Sequence, residues 1–298
     1  MTITRVGFIG LGNMGVPMAG HLARAGFRLT VSDIAPGVTQ RFVAEHPGSA
    51  AAAGPQSFAA AEALILMLPT SEIVEDVLEG EQVAGALPAG CLVIDMSSSE
   101  PLRTRALAAR LHARGLPMLD APVSGGVRGA RAATLSVLAG GSPDDLARAT
   151  PLLSAMAGPI IHVGDTGSGH AAKALNNLVS AATISVTVEA LAVAESFGIS
   201  ADTMTRVLNS SSGRSNTSEN KVAQFMTSGR FDSGFSLALM AKDVGLALGL
   251  AAALGRPAEV AGHVADQWRR LAGEADPAAD HTQLYTLLGA GSPEGTAQ

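Results

Sequence analysis

One cysteine, one tryptophan and one tyrosine stand among 298 residues, and aromatic side chains make up only 3%. A single thiol, Cys91, excludes an intrachain disulfide, and its place in an apolar run marks it as a small core residue of a reducing, cytoplasmic compartment. Charged residues are also scarce, at 15% against 47% hydrophobic, which excludes a disordered chain and describes a well-cored globular one. The net charge of −6 argues against nucleic acid or an anionic membrane as the main partner. His21, His46, His112, His162, His170, His263 and His281 have no paired spacing and no cysteine support, so no metal site is expected. No Gly-x-Ser-x-Gly elbow and no P-loop lysine occur. The most apolar long stretch, from Ala174 to Val188, is interrupted by Asn, Ser and Thr, and no membrane span is expected. With a strand and its glycine motif so near the first residue, no cleavable leader is expected.

What is present begins at once. Arg5 to Ile9 is an apolar run of the kind that forms a buried parallel strand, and Gly10, Leu11, Gly12, Asn13, Met14 and Gly15 then supply G-x-G-x-x-G ahead of a helical stretch. There the first glycine permits a tight turn, the second lets a pyrophosphate approach the backbone, and the third lets the helix pack close to the strand. A second strand, Arg28 to Ser32, ends at Asp33, 18 residues after Gly15, where the adenine ribose of a dinucleotide should lie. An acid at that point favours NAD and repels the 2′-phosphate of NADP; the duller alternative is that Asp33 caps the next turn.

Strand and helix alternate through about residue 164, the pattern of a mostly parallel, doubly wound α/β sheet with helices on both faces. Ala50 to Gln56 reads as a linker, and Leu102, Ala106, Ala109 and Ala113 as the apolar face of a helix. Leu68-Pro69, Ser97-Ser98 and Ser124-Gly125-Gly126 fall at strand carboxyl ends, where such sheets bind ligands. Beyond Gly169 no strand is convincing. His170 to Phe197 reads as one helix, roughly 42 Å long at 1.5 Å per residue, apolar nearly all round and suited to a core axis or an oligomer contact. The expected division is a dinucleotide-binding domain over 1–164 and an all-α domain over 165–298, joined by that helix.

Lys173 and Asn177 stand four apart at the start of the long helix, so an ammonium and an amide face the same way and can hold one small polar ligand. A lysine among so many apolar neighbours is either a proton-transfer group or one that snorkels out at a domain junction. The polar run Ser210 to Asn220 offers Arg214 and Asn216 to a substrate, or else is a solvated loop whose Ser or Thr caps the next helix. Lys242-Asp243 is either a pair beside the cofactor or a surface pair.

Phe8-Ile9-Gly10-Leu11-Gly12-Asn13-Met14-Gly15, Asp120-Ala121-Pro122-Val123-Ser124-Gly125-Gly126, Gly167 through Asn177, and Lys242-Asp243-Val244 together resemble the four signature segments of the β-hydroxyacid dehydrogenases. The resemblance spans nearly the whole chain. It implies a Rossmann domain, a helical second domain, and NAD(P)-linked oxidation of a small 3-hydroxy acid to its semialdehyde, as in 3-hydroxyisobutyrate dehydrogenase and tartronate semialdehyde reductase. It further implies Lys173 as the catalytic residue, Asn177 as its substrate-binding neighbour, Ser124, Gly125 and Gly126 around the substrate carboxylate, and Lys242 beside the nicotinamide. Ala133 stands where a glycine is usual, and the Ser212-to-Asn220 loop lacks the aromatic of the hydroxyisobutyrate enzymes; the polarity of that loop points to a more hydroxylated acid. The other readings are a different semialdehyde reductase or hydroxy-acid dehydrogenase of the family, an oxidative decarboxylase or imine reductase on the same scaffold, and a dinucleotide-binding protein without turnover. A homodimer or homotetramer is expected from the greasy long helix.

Overall fold

The structure, a computed structural model, describes residues 3–80 and 82–290. The chain divides into two compact units, Met1–Lys173 and Ala174–Gln298. The first runs β1 (Arg5–Ile9), α1 (Gly15–Arg24), β2 (Arg28–Ser32), α2 (Val38–Glu45), β3 (Ala50–Ala51), β4 (Ala63–Leu66), α3 (Ser71–Glu75), α4 (Val83–Ala86), β5 (Leu92–Asp95) and α5 (Pro101–His112). It continues with β6 (Met118–Asp120), β7 (Val123–Ser124), α6 (Gly126–Ala132), β8 (Leu135–Gly140), α7 (Pro143–Met156) and β9 (Ala157–Gly164).

Strands β3-β2-β1-β4-β5-β6 lie side by side and parallel. β8 then pairs antiparallel with β6 and β7 and parallel with β9. The mostly parallel, doubly wound α/β sheet expected of a Rossmann domain is therefore present. Every residue of β4 and β5 is buried, because both faces are covered. Alternate side chains serve two layers: Phe8, Ile65 and Ile94 join Met18 and Leu22 of α1 on one side, while Ile9, Leu64, Leu66 and Val93 join Leu107 and Leu111 of α5 on the other. The chain leaves β1 toward β2 and β3 and comes back to β4 on β1's other flank, so the loops after β1 and β4 part and open a crevice at their carboxyl ends.

Three local expectations are corrected. Ala50–Ala51 is not linker but an edge strand paired with Thr30 and Val31; two alanines carry no periodicity to read. In α5 the face of Leu102, Ala106, Ala109 and Ala113 is exposed, and the buried one is Pro101, Thr104, Leu107 and Leu111. Leucines at i and i+4 outweigh a stripe of alanines because they remove far more apolar area from water. Helix α6 is an addition. It ends at Ala133, which adopts the left-handed conformation with φ 55° and ψ 36°, the backbone reason that a glycine suits this position.

The second unit is helical, and its described residues hold no strand, only an isolated bridge between Ser236 and Asp280. Helix α8 (Ser168–Ser196) starts before the division and is followed by α9 (Ala201–Asn209), α10 (Asn216–Asn220), α11 (Leu237–Ala253), α12 (Glu259–Glu274) and α13 (Leu284–Leu287). By length and composition alone α8 could cross a membrane; the Asn, Ser and Thr that interrupt it do not prevent that. Here Ala181, Ile184, Val188 and Leu191 put one face in the core around Trp268. Its opposite face leaves Leu175, Val179, Val186 and Val193 exposed, so the expectation of burial all round holds for one side only.

Candidate active site

In the first unit the three fingerprint glycines have separate physical reasons. Gly10 has φ 100°, and a Cβ there would run into the Met67 carbonyl. A Cβ on Gly15 would run into the Gly10 carbonyl, which fixes how closely α1 approaches the strand. A Cβ on Gly12 would meet nothing within 4 Å. The fold requires the outer two; the middle one borders open space at the start of α1, where a pyrophosphate can come up to backbone N–H groups. The loop thus fits a dinucleotide. Asp33 accepts hydrogen bonds from Leu11 N (2.6 Å) and Ala35 N (2.7 Å). The turn-capping alternative is therefore realised, and the same carboxylate is tied to the glycine loop at the end of β2, with lone pairs left for ribose hydroxyls.

Leu68 and Ser97, from the ends of β4 and β5, are joined: the Ser97 hydroxyl accepts from Leu68 N at 2.9 Å. Ser97 is buried, so its side chain shapes the crevice, while Ser98 beside it is half-buried. Pro69 follows Leu68 and leads through Thr70, which caps α3. Gly125 and Gly126, with φ 128° and 59°, turn the chain from β7 into α6 directly after Ser124.

The start of α8 rests on a network that the sequence did not reveal. Asp120, fully buried at the end of β6, accepts from Gly167 N (2.6 Å) and His170 N (2.8 Å). It thereby satisfies two first-turn donors and puts negative charge at the helix N-terminus. Burial raises its pKa, against the opposing effects of His170 and those two N–H groups. His170 in turn contacts the Thr104 hydroxyl (2.8 Å) and the Ser97 carbonyl (3.1 Å). Three residues on, Lys173 is 8% exposed and so does not snorkel into solvent.

In the second unit Asn177 is buried one turn beyond Lys173 and donates through Nδ2 to Asp243 at 2.6 Å. Asp243 is 2% exposed and its other oxygen lies 3.5 Å from the Lys242 amine. The pair is not the surface pair of the duller alternative: Asp243 sets the Asn177 amide, and nothing in the sequence spacing linked them.

Arg214 and Asn216 are placed differently. Both are exposed, Arg214 faces Glu219, and Ser215 and Ser218 form a capping box that starts α10. The capping alternative is the one observed. Within this segment Thr217 reaches α8, its hydroxyl 3.3 Å from that of Thr183, and directly after the segment comes Lys221, whose Nζ donates to Ser180 Oγ at 3.1 Å and lies 3.2 Å from His281 Nε2. Burial pushes the Lys221 amine down to about 8, with Asp280 opposing. Burial and then the Lys221 charge bring His281 down to about 4. A cavity of about 380 Å³ beside Glu195, Asp202 and Tyr285 contains none of the expected site residues.

Comparison with known proteins agrees with this geometry. Residues 5–164 match the family model described as the NAD binding domain of 6-phosphogluconate dehydrogenase. Residues 167–288 match the one described as the NAD-binding domain of NADP-dependent 3-hydroxyisobutyrate dehydrogenase. The chain belongs to the β-hydroxyacid dehydrogenase family. Like other β-hydroxyacid dehydrogenases it is an NAD(P)-dependent oxidoreductase. It is 40% identical to 2-(hydroxymethyl)glutarate dehydrogenase of Eubacterium barkeri over 82% of this chain and 81% of that one. It is 40% identical to 3-hydroxyisobutyrate dehydrogenase of Pseudomonas aeruginosa over 85% and 87%. The solved structure of Mycobacterium tuberculosis 3-hydroxyisobutyrate dehydrogenase with L-serine superposes with a TM-score of 0.90 at 36% identity, covering 97% of this chain and 100% of that one.

Proposed function

We propose that this β-hydroxyacid dehydrogenase oxidises a small 3-hydroxy acid to its semialdehyde and catalyses the reverse reduction, as its relatives named 3-hydroxyisobutyrate dehydrogenase do. What carries the reading is Lys173, a buried amine near the start of α8 with Asn177 one turn further along. Bound at the glycine loop, NAD or NADP supplies the hydride acceptor or donor. The Gly10–Gly15 backbone and Asp33 hold its phosphates and ribose, with Leu68, Pro69, Ser97 and Ser98 along the same strand ends and Lys242 beside the nicotinamide. Backbone N–H groups at Ser124, Gly125 and Gly126 take the substrate carboxylate. Asn177, held by Asp243, orients the hydroxyl. Lys173 accepts the hydroxyl proton during oxidation and its ammonium returns one during reduction.

The test is NAD⁺ or NADP⁺ reduction followed spectrophotometrically over a panel of small 3-hydroxy acids. Turnover of at least one is expected, and Lys173→Ala should lower kcat by ~10²–10⁴-fold with cofactor binding kept. A variant with full turnover would refute the assignment. A cytoplasmic homodimer or homotetramer completes the proposal. The exposed row Leu175, Val179, Val186 and Val193 supports self-association, and a monomer in analytical ultracentrifugation would exclude it.

A further inference from the structure

Lys221 carries a charge that no direct ion pair meets. Its amine has three N–H donors, and the two acceptors at hand, Ser180 Oγ and His281 Nε2, are both neutral. His281 donates Nδ1–H to the Phe235 carbonyl at 2.9 Å, which leaves the Nε2 lone pair facing the ammonium. Asp280 acts on Lys221 from further off, but its oxygens are already engaged by Thr282 N (3.0 Å), Thr282 Oγ1 (2.6 Å), Gly234 N (2.9 Å) and Ser233 Oγ (2.9 Å). Among the described residues no carboxylate forms an ion pair with this Nζ, and Asp280 lies instead 3.6 Å from His281 Nδ1. Buried charges are ordinarily paired, since an unpaired one forfeits its hydration with no return.

Lys221 as a residue is half-buried and not fully enclosed. Its location narrows what could approach. Ser180 follows Asn177 by three residues on α8, ~4.5 Å of rise and on the same side of the helix. An anion against Lys221 would therefore sit next to the amide that Asp243 orients. We propose that Lys221, steadied by Ser180 and His281, receives a second carboxylate of the substrate, so that this dehydrogenase acts on hydroxy dicarboxylic acids. The proposal rests on the reading of Asn177 as a substrate contact. One ammonium with a remaining N–H, beside the Ser180 hydroxyl that can donate, matches a carboxylate; a phosphate would call for more positive charge, and a hydroxyl would leave the ammonium uncompensated.

The experiment compares kcat/KM for 2-(hydroxymethyl)glutarate with that for the same acid whose distal carboxylate is a carboxamide. Wild type should favour the diacid by about 10-fold or more, as expected for a charge-assisted contact. Lys221→Met should bring the ratio close to one, and Ser180→Ala should lower it part of the way. A wild-type ratio near one, or a ratio preserved in Lys221→Met, overturns the proposal, and the wild-type ratio decides even where that variant does not fold. If no hydroxy acid is turned over, the dehydrogenase reading itself fails. The subsite is then judged on glutarate alone, added to the NADH-loaded protein: a rise in Tm that disappears in Lys221→Met supports it, and no rise in wild type overturns it.

Discussion

Each unit buries a histidine beside a carboxylate, and the two arrangements finish differently. In the first, Asp120 is met by the backbone N–H groups of Gly167, just before α8, and of His170 in its first turn, and His170 by Thr104 and Ser97. In the second, Asp280 is satisfied by Thr282, Ser233 and Gly234, His281 by Phe235, and the positive group beside them, Lys221, by neutral acceptors only. A closed network holds a helix in place. An open one has room for a partner that the chain does not supply. The same kinds of residue, equally buried, therefore indicate structure in one case and recognition in the other, and the criterion is whether the charge is answered.

The largest effect should come from breaking the closed network. Asp120→Ala strands the Gly167 and His170 N–H groups and should cost about 3–5 kcal/mol in urea unfolding; a loss under about 1 kcal/mol would show that the network is dispensable. Lys221→Met, in the open network, should have the opposite sign. Removing a buried, unpaired cation should leave stability unchanged or raise it by about 1–4 kcal/mol in the ligand-free protein, and clear destabilisation would mean that the amine is structural. Acidity sharpens the contrast next. Because His281 is held near 4 against an ordinary 6.5, the unfolded chain takes up the proton first, and stability should fall as pH drops from about 6.5 toward 4. Because Lys221 is held near 8 against 10.5, stability should rise with pH between those values. Lys221→Met should flatten that alkaline rise in a series of thermal melts, and an unaltered slope would assign it to other groups. Smallest is a strain in the first unit that lies in the backbone and not in a charge: Ala133→Gly relieves the left-handed residue after α6 and should raise stability by about 1 kcal/mol, whereas a loss would show that the Ala133 methyl packs usefully.

Most of the architecture could be read before any coordinates. The strands of the first unit announce themselves as short apolar runs, since a strand covered on both faces has little choice of residue, and the glycine loop fixes the strand–helix junction. Reading failed where an element is too short for a pattern, as at Ala50–Ala51, or where small side chains imitate a face, as with the alanines of α5. At the site, Lys173 and Asn177 could be paired because one helix turn links them. Asp243 and Asn177 could not, nor could Lys221 and His281, since each pair meets only through the packing of separate helices. Arg214 drew attention as the charged residue of a polar loop. The lysine that reaches inward comes just after it, at the end of α10, where the chain turns toward Ser180.

The open space at Gly12 allows a practical sorting of relatives. Gly10 and Gly15 are obligations of the fold, so any descendant that keeps the scaffold must keep them; a Cβ at Gly12 would meet no atom of the protein within 4 Å. A lineage that gave up redox work could fill that position at no cost to folding, and such a substitution would serve as a tombstone for lost nucleotide binding in a chain that otherwise looks intact.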